Sequence, residues 1–133
     1  MKNLFFTLLF FAFTINASAQ LQSPDAFLGY RLGSRFTPHY KVVAYCEHVA
    51  QNSKMVQLQQ YGETYEHRPL LAAFVGTEAN IGQLEKIRDN NLQLARQSVT
   101  AGAGSTNTPA IIWLSYNVHG NEPTSTEAAM ATL

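Results

Sequence analysis

The chain has 133 residues, nine basic and nine acidic side chains, and 46% apolar residues, enough to bury a core. Its formal net charge of zero, with no basic stripe, argues against nucleic acid as a partner. Cys46 is the only cysteine, so no internal disulfide can form and stability must come from packing.

The largest apolar block stands at the start. Lys2 precedes an uncharged run from Leu4 to Ile15, and Ala17-Ser18-Ala19 follows as an A-x-A cleavage signal. The run is shorter than the ~20 residues that span a bilayer and lacks stop-transfer charges. It predicts a secretory signal peptide over 1–19, a mature chain from Gln20, a secreted or periplasmic location and no stable membrane association after cleavage.

Ser23, Pro24 and Gly29 supply a cap, a first-turn proline and a stop, which predicts one short helical turn. Thr37-Pro38 repeats the start signal. Val42, Tyr45/Cys46 and Val49 then recur at helical spacing to about Asn52, with Cys46 as a small buried hydrophobe. Met55 to Tyr61 partly alternates apolar and polar residues, and Pro69 to Val75 is nearly continuous in apolar residues. Separated by Gly62 to Arg68, they predict paired antiparallel strands, the second buried on both faces.

A further helix is expected from Glu78 to Ala95, with Ile81, Leu84, Ile87 and Leu92 inward and Glu85, Lys86, Arg88 and Asp89 solvated. Gln97 to Thr108, rich in Gly, Ser, Thr and Ala, is expected as a flexible connection. A strand over Ala110-Ile111-Ile112-Trp113-Leu114 then precedes Pro123 and a closing helix. This order predicts an α/β fold with a mixed parallel/antiparallel sheet flanked by helices.

Between that strand and the last helix stands His119-Gly120-Asn121-Glu122. An imidazole and a carboxylate three residues apart, at a strand-to-helix corner, suit one Zn²⁺ in an open geometry, of which they form two-thirds of the usual three-ligand catalytic set. Such a site keeps a position for water, whose pKa falls toward ~7 on the metal. Gly120 can turn the chain sharply between the ligands, and Pro123 suits the first helical turn. The plainer alternative is a loop histidine beside an acid favoured by the helix dipole. Asn121 and Asn117, with Ser115, are candidates to orient the ligands by hydrogen bonds or to face substrate. Trp113 and Tyr116 pack beside the site or in the core. His39, His48 and His67 are expected as polar surface or partly buried residues rather than ligands.

Taken together, the helix over Thr37-Pro38-His39 to Ala50, the hairpin from Val56 through Tyr65-Glu66-His67-Arg68-Pro69-Leu70, and His119-Gly120-Asn121-Glu122 resemble the start of the catalytic domain of zinc carboxypeptidases, of the A/B and E/N types. The resemblance covers most of the chain after its leader. It implies that His119 and Glu122 are the first two ligands of one zinc ion. It places the third ligand, a histidine, far beyond residue 133, together with the catalytic glutamate and the groups that clamp the substrate's terminal carboxylate. No catalytic residue is therefore expected within the chain, and residues 20–133 are expected to be the N-terminal part of the catalytic domain, inactive alone. Leu133 ends a helical pattern without a stop signal, which agrees. Asn121 stands where the pancreatic branch has arginine and matches the Gly-Asn form of the E/N branch. His67 holds a turn position where the family often has glycine, and Arg68 matches a family arginine for which support of the hairpin is expected.

The resemblance implies a secreted metallocarboxypeptidase hydrolysing C-terminal peptide bonds of peptides or proteins. Two alternatives stand beside it. One is a zinc amidohydrolase of the aspartoacylase or succinylglutamate desuccinylase type, which also uses His-Gly-Asn-Glu. The other is a non-catalytic binding module on the same fold.

Overall fold

The computed structural model describes residues 20–96 and 109–133. The expected leader and the expected connection over 97–108 lie outside them. Seven elements follow in chain order: α1 (Pro24–Leu28), α2 (His39–Asn52), β1 (Val56–Glu63), β2 (Pro69–Val75), α3 (Glu78–Ile81), α4 (Leu84–Arg96) and α5 (Pro123–Thr132). The architecture is α/β.

Helix α1 follows its punctuation. Ser23 Oγ accepts the Ala26 N–H at 3.4 Å, and Gly29, left-handed at φ 73°, donates its N–H to Asp25 O. Helix α2 starts differently from expectation. Thr37 does not cap it. Its side chain is buried and its hydroxyl pairs with Tyr30 Oη at 2.9 Å, so Pro38 precedes the helix without a side-chain cap.

The expected hairpin is present. Strands β1 and β2 pair antiparallel from Val56↔Val75 to Glu63↔Pro69, with a bulge that leaves Tyr61 between Gln60 and Gly62. Thr64 closes the loop by donating its N–H to Arg68 O and accepting the Arg68 N–H on Oγ1. His67 is left-handed at φ 57°, a conformation that favours glycine. Strand β2 is not buried on both faces: its first half is partly exposed and Phe74 and Val75 are open to solvent. Helix α2 packs along β1, and no helix among the described residues packs comparably on β2.

Two further expectations change. The helix over 78–95 is broken into α3 and α4 at Gly82, a poor helix former whose N–H closes α3 on Glu78 O. Residues 110–114 form no strand. A strand exists through its ladder, and the described sheet has only β1 and β2, with nothing bonded to this segment. Ile112 and Trp113 accordingly remain 80% and 77% exposed.

The core joins the two ends of the chain. Leu28, Tyr45, Val49, Val56 and Met130 form one buried cluster, with Phe27 edge-on to Tyr45 at 5.3 Å. Met130 brings α5, and the corner that precedes it, up to α2.

Candidate metal centre

The corner is built from the helix start backward. Glu122 occupies the residue before α5, Pro123 takes the first helical position, and Ser125 donates its N–H to Glu122 O. The Glu122 N–H returns to His119 O at 3.2 Å, so residues 119–122 close a tight turn. That turn places the two side chains on one side. His119 Nδ1 donates to Glu122 Oε1 at 2.8 Å, with the imidazole 70% and the carboxylate 48% exposed.

The left-handed residue of the corner is Asn117, at φ 54°, and not Gly120. Asparagine tolerates this conformation better than most residues because its short side chain bonds locally. Here Asn117 Nδ2 donates to Thr126 Oγ1 at 2.9 Å and to Glu122 O at 3.4 Å, while Thr126 Oγ1 donates to Asn117 Oδ1 at 3.1 Å. One residue further back, Tyr116 Oη bonds Thr132 Oγ1 at 2.7 Å. The segment entering the corner is thus laced to α5 at both ends of the helix. A Cβ on Gly120 would meet nothing within 4 Å, so its role is not steric.

Zn²⁺ bonds nitrogen and oxygen at about 2.0–2.2 Å, so two donors 2.8 Å apart are within reach of one ion. The donor set also fits chemically, provided Nδ1 gives up its proton. Exposure leaves room for a third ligand and a substrate. Among the described residues, no group of three or more His, Cys, Asp or Glu could hold a metal. Among the described residues, His119 and Glu122 could together offer a metal two ligands at most. Asn121 is exposed and makes no hydrogen bond to either ligand, and neither does Ser115. Trp113 is 77% exposed and is not part of the buried core.

The other histidines are elsewhere. His48 lies against Phe27, and its Nε2 accepts the Gln22 N–H at 3.1 Å. His67 bonds Glu63, and His39 is exposed on α2. Arg68 pairs with Glu66. An open cleft of about 520 Å³ lies near Tyr40, Val43, His67 and Pro69, away from the His119 turn. This cleft and the His119–Glu122 pair are thus separate features of the described surface.

One side chain at this helix was invisible to sequence patterning. Glu127, the only charged residue of α5, reaches back to accept the Thr37 N–H at 3.0 Å and the Gly33 N–H at 3.3 Å. A lone acid in a helix of small residues was the only available signal, and it does not name partners ninety residues away.

Comparison with known families resolves what the corner belongs to. The model of the zinc carboxypeptidase family matches residues 42–133, from α2 through the His119 turn to the end of α5. The chain belongs to the zinc carboxypeptidase family. Neither the curated proteins nor the solved structures compared with it gave a match. Membership makes zinc-dependent hydrolysis of peptides or proteins the family activity, and the matched span contains both His119 and Glu122.

Proposed function

We propose that this chain provides the His119/Glu122 half of the zinc site of an exported metallocarboxypeptidase, which removes residues from the C-terminus of peptides or proteins. The observation that carries the reading is the His119–Glu122 pair, 2.8 Å apart and solvent-facing, on the matched span of a zinc carboxypeptidase. His119 and Glu122 would contribute two ligands to a zinc ion, which when bound would supply Lewis-acid chemistry for the scissile carbonyl and for activation of a water. The chain's own residues do the rest of the local work. His119 and Glu122 hold the ion, Asn117 fixes the turn through Thr126 and the Glu122 carbonyl, and the exposed face admits substrate. The family resemblance assigns the third ligand, a histidine, and the catalytic glutamate to chain beyond residue 133.

In the complete domain, residues 110–114 join the sheet as a strand and make it mixed, which would cover the apolar side chains now exposed there. Export rests on Lys2, the apolar run and Ala17-Ser18-Ala19. No described helix is long and apolar enough to cross a membrane. N-terminal sequencing of the exported protein should begin at or near Gln20, and an intact leader in the mature protein would refute export.

The test of the site uses the complete protein. His119→Ala and Glu122→Ala should each lose zinc and hydrolysis while keeping the far-UV CD spectrum, because both side chains are solvent-facing. Full zinc content in His119→Ala would end the assignment. Substrate class is separated by three compounds. A peptide with a free C-terminus should be cut and its C-terminal amide should not, whereas preference for an N-acyl amino acid would select the amidohydrolase alternative.

A further inference from the structure

We infer that Glu127 is a positioning residue for the zinc ligands, clamping the helix that follows Glu122 to a loop near the N-terminus. The inference rests on the zinc reading above. Glu122 immediately precedes α5, so any swing of that helix displaces its carboxylate. The contacts of Asn117 and Tyr116 tie α5 to the segment that enters the corner, and neither reaches the loop near the N-terminus or the core.

Two of the contacts that tie α5 to the body of the fold lie at different distances from Glu122. Met130 enters the core eight residues after Glu122, about 12 Å along a helix rising 1.5 Å per residue. Glu127 stands five residues after Glu122, about 7.5 Å along the same axis. A helix held only at Met130 can pivot there. The second attachment, nearer the ligand, removes that freedom.

The receiving loop is built to hold its amides still. Thr37 is fully buried and its hydroxyl pairs with Tyr30 Oη. Gly33 is left-handed at φ 79°, and Asp25 Oδ1 accepts the neighbouring Leu32 N–H at 2.8 Å. The Arg35 guanidinium and the Lys41 ammonium lie over the Tyr30 ring at 4.4 Å and 5.2 Å. Both bonds from Glu127 are made by an ionised acceptor, which strengthens them. Gly33 and Thr37 precede the matched span, which begins at Val42. The clamp therefore joins a part of this chain outside the family match to the helix at its metal centre.

The test measures zinc Kd by chelator competition on the complete protein, at a temperature where near-UV CD shows each variant folded. Supporting contacts of metal ligands are worth about 10–100-fold in affinity. Glu127→Gln keeps the size but turns an N–H₂ toward one amide, and should raise Kd about tenfold. Glu127→Ala should raise it toward a hundredfold, and Glu127→Asp should recover part of the loss. Ile87→Ala, a buried change in α4 outside the main cluster, should lower the melting temperature and leave Kd unchanged. Cobalt-substituted Glu127→Gln should show a shifted visible spectrum.

Kd within twofold of wild type in both Glu127→Gln and Glu127→Ala, whatever their melting temperatures, would overturn the inference and leave the zinc reading standing. If Glu127→Ala does not fold, Glu127→Gln alone decides. Wild-type affinity in His119→Ala would instead remove the zinc reading and this inference with it.

Discussion

Replacing Met130 by alanine tests whether α5 is seated as described. Met130 is wholly excluded from solvent and meets Leu28, Tyr45, Val49 and Val56 in the one cluster shared by the early and late elements. Truncating a buried methionine removes its transfer free energy and leaves a cavity, together about 2–5 kcal/mol. Partly buried Val42 and Leu133 flank the cluster and can relax inward, which places the expected loss near the middle of that range, about 3 kcal/mol. With an m-value of about 2 kcal/mol/M, the urea midpoint should fall by about 1.5 M. Far-UV CD is the right probe, since Trp113 is already 77% exposed in the native state and its emission has little to report. Met130→Leu, which conserves volume, should cost less than about 1.5 kcal/mol. A loss below about 1 kcal/mol for Met130→Ala would refute the seating of α5 on α2.

Asn117→Ala should lose the bonds to Thr126 and must hold a left-handed backbone with a Cβ, costing about 1–2 kcal/mol for the backbone alone, whereas Asn117→Gly should relieve the backbone while losing the same bonds. Urea titrations that rank alanine above glycine in stability would contradict the left-handed assignment. Partial burial of Cys46 pushes its thiol above its usual value, outweighing a backbone hydrogen bond that lowers it, with the Glu47 charge adding a smaller upward push. At pH 8 the folded protein should therefore hold less thiolate than a free cysteine and react more slowly with a disulfide reagent, with the rate still rising at higher pH, and reaction at the unfolded rate would refute the burial.

Local chemistry made several features legible. Ser23, Pro24 and Gly29 mark the bounds of α1 because a cap, a proline and a glycine act within one turn. The hairpin was legible because alternation and its intervening polar residues are both local signals. The division at Gly82 was not, since one glycine within a good apolar pattern leaves the periodicity intact. The strand over 110–114 failed for a different reason: apolar β-branched residues describe what a strand would bury, but only a neighbouring strand makes one. At the candidate site, the i, i+3 spacing of His119 and Glu122 did anticipate one turn bringing them together. The special backbone angle fell on Asn117 instead of Gly120, because the turn at 119–122 closes with ordinary angles and the reversal happens before it. Glu127 was beyond reach, its partners being distant in the chain.

The span between Thr37 and Glu127 also sets a timetable for synthesis. Ninety residues separate the donor from its acceptor, and at about 5–20 residues per second the ribosome takes roughly 5–18 s to bridge them. The hairpin β1–β2 can close within about 1–10 μs of emerging. Through the rest of that interval Tyr45 and Val49 lack Met130, and the Gly33 and Thr37 amides lack their carboxylate. The N-terminal half thus emerges with an apolar face open, and the helix that completes it arrives together with the His119–Glu122 turn.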